Sequence, residues 1–236
     1  MPELGAVTQA LLAIARDNTD DRVVASRICQ ACVAGLDIDG AAISLLTTSP
    51  GRQTLAVTDE TAELLEDLQF TLNEGACMEA ATTGRPVLVA DIQEGVEVAR
   101  WPVFASAVAE RTAARALFAL PLQWGVVNLG VLDLYRATPG ALIEAQLWDA
   151  LSAADTAALM MLGLRTDPGD GGGGWLDHAV GHRAEIHQAT GMVLVQLGVS
   201  AAEALARMRG YAFVHDRLLV DVARDVVARR LGFTKD

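Results

Sequence analysis

The sequence is poor in cysteine, aromatic residues and charge, and each shortage excludes a class of protein. Only three of its 236 residues are cysteine, so it is not a small domain held together by disulfides, and a reducing cytoplasm suits it best. Aromatic residues make up 5% and charged residues 20%, yet hydrophobic residues reach 52%, which is enough to build a folded core. The chain is therefore expected to form one large globular domain or two small ones.

Two kinds of segment are missing as well. Residues 1–16 have no basic stretch and carry Glu3, so they lack the pattern of a secretory signal peptide. No run of about 18 apolar residues occurs, so a membrane-spanning helix is not expected. These features predict a cytoplasmic protein that does not bind membranes.

Positive charge is scarce overall, but the two ends of the chain differ. Lys plus Arg number 18 against 30 Asp plus Glu, which gives a net charge of −12. Residues 1–174 carry 10 basic and 23 acidic side chains, a net charge of −13, whereas residues 175–236 carry 8 and 7, a net charge of +1. The net charge of the whole chain argues against a protein that coats nucleic acid without specificity. The C-terminal segment, however, is almost neutral.

A glycine-rich stretch separates these two parts. Residues 165–174 read Arg-Thr-Asp-Pro-Gly-Asp-Gly-Gly-Gly-Gly, a composition that does not hold a regular element and is typical of a flexible linker. The change of net charge falls at the same place. The sequence thus predicts a domain over residues 1–165, a linker over 166–174 and a second domain over 175–236.

Before the linker, helical and strand-like apolar patterns alternate. Strands are predicted at residues 41–47, 53–57, 86–91, 115–122 and 126–135, and helices at 4–15, 21–34, 60–68, 101–110 and 142–164. Turn signals at residues 48–52 and 124–125 join two pairs of strands into hairpins. This order predicts an α+β domain, a sheet with helices on it, rather than a doubly wound sheet.

Beyond the linker only helical patterns occur. Helices are predicted over residues 177–196, over 200–213, and from Asp216 or Arg217 to Arg230, and Ser200 with Glu203 has the spacing of a capping box. Three short helices make a small bundle, which is marginally stable alone. Dimerisation or docking on another surface is therefore expected.

Several motifs of the first domain resemble those of the GAF sensory fold, in the subtype carried by bacterial regulators. The motifs are residues 70–77 (Phe-Thr-Leu-Asn-Glu-Gly-Ala-Cys), 84–87 (Gly-Arg-Pro-Val), Asp91, 101–104 (Trp-Pro-Val-Phe), 119–122 (Ala-Leu-Pro-Leu) and 129–135 (Leu-Gly-Val-Leu-Asp-Leu-Tyr). They occur in the family's order across about residues 10–160. The resemblance implies a sensor with a small-molecule pocket between its sheet and its helices.

The C-terminal segment resembles the ANTAR domain, an RNA-binding three-helix bundle, over about residues 180–232. An ungapped pattern carries the resemblance: Ala189-Thr-Gly191, Gly198-Val-Ser200, Ala204, Met208-Arg209, Ala212, Arg217 and Asp221-Val-Ala223. Together the two resemblances imply a GAF-ANTAR transcription antitermination regulator. Such a protein holds a pair of short stem-loops in nascent RNA, which are incompatible with an intrinsic terminator. Thr190 departs from the pattern, because the family usually has lysine there.

The candidate RNA-binding residues lie on the last two predicted helices and their junction. Arginine and aromatic side chains suit RNA loops, where they stack on bases and contact phosphates. The candidates are Arg207, Arg209, Tyr211, His215, Arg217 and Arg224. Arginines on helix surfaces also pair with neighbouring carboxylates, and the resemblance decides in favour of RNA. Arg209 and Arg217 stand where the family pattern is also basic.

The first domain offers few groups for a cofactor. All four histidines, at positions 178, 182, 187 and 215, lie beyond the linker, so it has no imidazole for haem or a metal. No metal site and no particular cofactor are predicted. Cys29 and Cys32 form a Cys-x-x-Cys pair, and Cys77 stands at the family's Glu-Gly-x-Cys position. These three are candidates for a redox or pocket role, although free cysteine more commonly packs as a small hydrophobe.

Two functions remain open from the sequence. One is a signal-responsive RNA-binding antiterminator that performs no chemical step, since no phosphate-binding glycine loop, nucleophile elbow or zinc protease motif appears. The other is a ligand- or redox-sensing GAF protein whose C-terminal bundle docks a protein partner. The helix at 142–164 either packs on its own sheet or pairs two copies, and a homodimer is predicted.

Overall fold

A five-stranded antiparallel sheet, helices on both of its faces and a C-terminal helical bundle make up the fold. The computed structural model describes residues 5–14, 21–46, 52–125, 127–165 and 184–234. The architecture confirms the α+β class that the sequence predicts. The predicted linker at 166–174 lies outside the described residues, as do His178 and His182.

The sheet has the strand order β2–β1–β5–β4–β3. Its strands are β1 (Gly40–Leu46), β2 (Arg52–Val57), β3 (Val87–Val89), β4 (Ala116–Trp124) and β5 (Val127–Arg136). Both predicted hairpins are present, with Ala42 opposite Val57 in one and Phe118 opposite Leu134 in the other. Gly125 makes the second turn at φ 58°, a left-handed conformation that glycine adopts without steric cost.

Seven helices of the described chain surround the sheet, and three more form the bundle. The first group is α1 (Ala6–Ile14), α2 (Asp21–Leu36), α3 (Glu60–Leu72), α4 (Ala76–Thr83), α5 (Gly95–Arg100), α6 (Pro102–Arg111) and α7 (Glu144–Arg165). The second group is α8 (Ala184–Leu197), α9 (Ala201–Val214) and α10 (Leu219–Val227).

Helices α1, α2 and α7 cover one face of the sheet. Helix α7 contributes mainly alanines to this face, and Ala150, Ala153 and Ala157 are fully buried there. Side chains this small let the helix lie close to Phe118 and Leu120 of β4, which belong to the same buried cluster. The interrupted apolar stripe of α7 is therefore used for packing on its own sheet.

Helices α3, α4 and α6 pack on the opposite face, around Leu68 and Phe104. The N-cap of helix α3 is Asp59, whose carboxylate accepts the N–H of Ala62 at 2.9 Å. It ends at Asn73, which takes a left-handed conformation with φ 56°. These caps define the two ends of α3, and its last turn lies against the C-terminal bundle.

The bundle packs its three helices around a third buried cluster, which includes Val193, Met208 and Val226. Helix α9 begins as the sequence predicts, because the Ser200 hydroxyl accepts the N–H of Glu203 at 3.2 Å. The last helix begins at Leu219, later than predicted. Asp216 takes a left-handed conformation with φ 49° and so cannot lie in the helix.

Three short elements differ from the prediction. Helices α4 and α5 are absent from it, because eight and six residues are too few to show a helical period. Strand β3 has three residues rather than the predicted six and lies at the sheet edge, where Leu88 is 43% exposed.

Within the described ranges, no helix taken singly has the length and apolar composition that crossing a membrane requires. Helices α8 and α9 meet those two criteria only as a pair, across a bend of 103°.

Candidate RNA interface and sensor pocket

Three of the predicted RNA-binding residues form a row along α9. Arg207, Tyr211 and His215 follow one another at intervals of four residues, which places them on one helix face. The rings of Tyr211 and His215 are stacked, with centroids 3.9 Å apart and planes inclined by 18°. Phe233 packs edge-on against Tyr211 at 5.7 Å and supports the stack from the side. We call Arg207, Tyr211 and His215 the stacking row.

The stacking row is accessible to a ligand. The Arg207 side chain is 54% exposed, and its guanidinium lies 3.6 Å from the Glu203 carboxylate. An exposed pair of this kind contributes little stability, so a phosphate can replace the carboxylate at low cost. His215 is exposed and Tyr211 is half-buried, which leaves the edge of the ring stack open to a base.

Arg209 faces away from the stacking row. Two residues along a helix correspond to a rotation of about 200°, and the Arg209 guanidinium accordingly lies over the ring of Phe70 in α3, 4.8 Å from its centroid. Phe70 is only 3% exposed. The structure thus uses this candidate RNA-binding residue in a cation–π contact between the two domains.

Arg217 is held by a carboxylate of its own bundle. Its guanidinium donates to Asp225 at 2.7 Å, and Arg230 donates to the other oxygen of Asp225, also at 2.7 Å. The hydrogen bond from Arg217, followed by that from Arg230, lowers the pKa of Asp225. Arg217 therefore fixes the junction between α9 and α10, and the charge of Asp225 is shared between two arginines.

Arg224 lies on α10 and bridges two helices. Its guanidinium is 3.4 Å from Glu185 of α8 and 3.3 Å from Asp221. The side chain is 54% exposed, so these contacts are made at the surface. Of the six predicted residues, the structure gathers three in the stacking row and gives the other three separate partners.

Thr190, the departure from the family pattern, lies inside the bundle. Its side chain is buried, its hydroxyl donates to the Ile186 carbonyl at 2.7 Å, and the same oxygen lies 4.0 Å from the Met208 sulfur. Position 190 thus contacts α9 from within the bundle. In this chain it contributes packing between two helices.

The bundle docks on the last turn of α3. The Leu219 amide donates to the Thr71 hydroxyl at 3.2 Å in a buried contact, and Phe70 belongs to the bundle's own buried cluster. Leu218 in turn packs against the cluster on the second face of the sheet. Sequence analysis misses this contact, because the apolar pattern of the predicted helix stops at Leu68 and carries no signal for a distant partner.

A small pocket lies between α3 and the sheet. Most of its lining is apolar, and four polar side chains reach it: Glu66, Gln69, Asp133 and Tyr135. The Tyr135 hydroxyl donates to Asp59 at 3.0 Å. Burial, reinforced by this hydrogen bond, raises the pKa of Tyr135 to about 12. Tyr135 is therefore a neutral hydrogen-bonding group at ordinary pH.

Cys77 lies beside this pocket, as the second residue of α4. Its sulfur is 2.6 Å from an Asp133 oxygen and 3.7 Å from the Ser44 hydroxyl, and its amide donates to Gln69 at 2.7 Å. Ligand atoms of Glu66, Cys77 and Asp133 all lie within 4.8 Å of one another. Among the described residues, these three have an arrangement that can hold a metal ion, a grouping that sequence analysis does not find.

Cys29 and Cys32 lie on the opposite face of the sheet, in the buried cluster of α2. Both are fully buried. Burial is the main cause that raises the pKa of each thiol, to about 12 for Cys32 and well above its ordinary value for Cys29. Neutral thiols in an apolar core are poor nucleophiles and poor metal ligands, so packing is the role that the structure supports for this pair.

Comparison with known proteins assigns a family to both parts of the chain. The GAF domain model matches residues 18–161, and the ANTAR domain model matches residues 176–227. No curated protein matches the chain. The two family matches follow one another in the order of the two domains described above.

Solved structures that resemble the chain include GAF domains and a domain of a sensor kinase. The GAF domain of an Acinetobacter phosphoenolpyruvate-protein phosphotransferase has a TM-score of 0.52 at 13% identity, covering 66% of this chain and 91% of its own. The corresponding domain from Coxiella burnetii scores 0.51 at 11% identity, covering 67% and 92%. A domain of a two-component sensor histidine kinase protein from Sinorhizobium meliloti, described as putative, scores 0.51 at 15% identity, covering 64% and 95%. At these identities the likeness concerns the fold.

Proposed function

The chain belongs to the GAF family and carries an ANTAR domain after its GAF domain, and from this premise we propose that it is a signal-responsive regulator that binds stem-loop RNA and promotes transcription antitermination. ANTAR domains are RNA-binding antitermination domains, and GAF domains are signal sensors. The observation that carries the proposal is the ANTAR match over residues 176–227, on a bundle whose surface presents the stacking row.

The stacking row is the part of the bundle that suits an RNA loop best. Tyr211 and His215 offer a preformed stack on which an unpaired base can continue, and Arg207 lies one turn away for a phosphate. With its nearly balanced charge, the segment 175–236 does not attract polyanions in general. A few shaped contacts therefore select the RNA.

The GAF pocket receives the signal, and α3 carries it to the bundle. One side of α3 lines the pocket with Leu65, Glu66 and Gln69, and its last turn holds the bundle through Phe70 and Thr71. A ligand that shifts α3 therefore changes the contact between Phe70 and the Arg209 guanidinium. We expect Arg209 to contact RNA only when it leaves Phe70.

A mobility-shift titration tests RNA binding. The probe is a synthetic RNA with two adjacent short stem-loops, and the proteins are the full chain and its Arg207→Ala and Arg217→Ala variants. Arg111→Ala is the matched control, because Arg111 is an exposed arginine of the GAF domain. We expect the first two substitutions to weaken binding, the control to leave it unchanged, and higher salt to weaken it throughout. A full chain that does not bind, or binds equally well in all variants, would refute the proposal.

A second function is favoured by the apolar surface of the bundle. Val195, Phe213 and Val214 are 77%, 59% and 76% exposed. Large exposed apolar side chains often mark protein-binding surfaces, so the bundle of a ligand- or redox-sensing protein would dock a protein partner there. Crosslinking in cells separates the two functions, since this one yields a protein partner without RNA.

The proposed regulator also has an expected oligomeric state, location and ligand. The protein acts as a homodimer in the cytoplasm, where nascent RNA is made, and binds RNA without a chemical step. A small molecule of the GAF pocket is its possible ligand. Measurement of the mass of the protein in solution tests the homodimer, and localisation of the tagged protein in cells tests the cytoplasmic location.

A further inference from the structure

Three acidic groups from three different elements meet beside the pocket. Glu66 comes from the middle of α3, Cys77 from the first turn of α4 and Asp133 from β5, and one ligand atom of each lies within 4.8 Å of the others. Glu66 and Cys77 are fully buried, and Asp133 is half-buried. The fold therefore places two carboxylates and a thiol in a small enclosed volume.

Neighbouring groups orient these side chains. The Thr54 hydroxyl donates to one oxygen of Glu66 at 3.2 Å, which restricts the movement of that oxygen. The Cys77 amide donates to Gln69 at 2.7 Å, which fixes the start of α4. Hydrogen bonds of this outer layer are what hold metal ligands in position.

Burying several acidic groups together is costly unless a positive charge or shared protons neutralise them. The charges of Asp133 and Glu66 also act on the Cys29 thiol. Its pKa is raised mainly by burial and next by Cys32, and the charges of Asp133 and Glu66 raise it further. In the metal-free protein the Cys77 thiol donates to Asp133, and a divalent cation would displace that proton and attract all three groups at once.

The donor set selects among cations. One thiolate with two carboxylates suits zinc and its neighbours, which accept sulfur as well as oxygen, whereas magnesium and calcium take oxygen ligands. The small pocket borders both Glu66 and Asp133, so a fourth ligand of about the size of a water molecule can enter from that side. Three protein ligands and one open position is the usual arrangement of a zinc site that also binds a small molecule.

We propose that Glu66, Cys77 and Asp133 form a binding site for a zinc-like divalent transition-metal ion, open towards the GAF pocket. The site has a direct route to the bundle, because Phe70 follows Glu66 by one turn of α3. Metal binding draws α3 towards α4 and β5. The effect on RNA rests on the function proposed above, whereas metal binding itself does not.

Cobalt(II) titration of the metal-free full chain tests the site, since a cobalt–thiolate bond gives a charge-transfer band in the near ultraviolet. We expect one Co²⁺ per chain with this band, displaced by Zn²⁺. The band should be lost in Cys77→Ala and kept in Cys32→Ala, which removes a buried thiol on the other face of the sheet. Glu66→Gln and Asp133→Asn keep the side-chain shapes and should weaken Co²⁺ binding by about tenfold or more.

Two results would overturn the site: no thiolate band in the wild-type chain, or a band that survives Cys77→Ala. The first result means that the three groups share protons only. If Cys77→Ala does not fold, as judged by circular dichroism, unchanged Co²⁺ affinity in both Glu66→Gln and Asp133→Asn overturns the site instead. If the site binds Co²⁺ but Zn²⁺ leaves RNA affinity unchanged, the metal site stands and only the proposed effect of metal on RNA binding is refuted.

Discussion

At the scale of single residues, neighbours decide what each arginine and aromatic side chain can do. Sequence reasoning favours Arg209 and Arg217 over Arg207 for RNA contacts, but Arg207 is exposed, Arg209 lies on Phe70 and Arg217 holds Asp225. The sequence indicates which residue types to consider. It does not indicate their partners, because those come from other helices.

Tyr211 is expected to act through its ring face. Tyr211→Ala removes the stack with His215, and RNA affinity should fall by about 5- to 150-fold, equivalent to about 1–3 kcal/mol per stacked base. Tyr211→Phe keeps the ring and is the matched control. Fluorescence anisotropy with the two-stem-loop RNA measures both, and equal affinities for the two variants would contradict a stacking role.

The ion pairs of Asp225 should make the bundle less stable as the pH falls into the acid range. Since its two arginines lower the pKa of Asp225 in the folded state, its stabilising contribution is complete above the unfolded pKa of about 3.9 and is lost as pH falls through the lower folded value. Thermal unfolding between about pH 2 and 6 should show a shallower acid decline in Asp225→Asn than in the wild type. Asp216→Asn removes an exposed carboxylate from the same bundle and is the control. Parallel declines in the wild type and Asp225→Asn would contradict the pairing.

At the scale of elements, local patterns predict most of the fold. The second hairpin follows from two apolar runs around Gly125, and the start of α9 follows from Ser200. Helix α4 is missed because eight residues show no period, and the end of α3 is placed too early because Phe70 packs on the bundle rather than on the sheet. Contacts distant in sequence therefore account for what local patterns miss in these elements.

The cap of α9 should contribute measurably to stability. Ser200→Ala removes the acceptor for the Glu203 amide, and we expect the free energy of unfolding to fall by about 1 kcal/mol. Ser200→Asp keeps an acceptor and should retain most of the stability. Urea unfolding followed by circular dichroism gives the difference, and equal losses in both variants would show that the cap is not the cause.

One buried hydrogen bond contributes to the contact between α3 and the bundle. Thr71→Val leaves the Leu219 amide without its acceptor, which costs about 1–3 kcal/mol and should loosen the docked bundle. Hydrogen exchange at Leu219 should become faster in Thr71→Val and stay slow in Thr71→Ser, which keeps a hydroxyl. Slow exchange in both variants would contradict the docked arrangement.

At the scale of the whole molecule, the outer side of α7 calls for a second copy of the chain. Trp148 and Leu159 on the outer side of α7 are 64% and 49% exposed, although the inner side packs on the sheet. We expect light scattering at micromolar concentration to give twice the chain mass of 24.9 kDa, and Trp148→Glu to lower it towards one chain. A wild-type monomer would contradict the proposed dimer.

The division of charge also belongs to this scale. The acidic GAF half repels RNA in general, and the nearly neutral bundle leaves selection to a few contacts. Net charge and domain order can be predicted from the sequence, and the family matches agree with the domain order. The cluster of Glu66, Cys77 and Asp133 cannot be predicted from the sequence, since it depends on the packing of α3 and α4 on β5.

RNA binding in cells is the central claim, and sequencing of RNA crosslinked to the full chain tests it most directly. We predict enrichment of transcripts that carry two adjacent short stem-loops overlapping an intrinsic terminator, with loss of this enrichment in Arg207→Ala and retention in Arg111→Ala. Recovery of protein partners without RNA above background would contradict the claim.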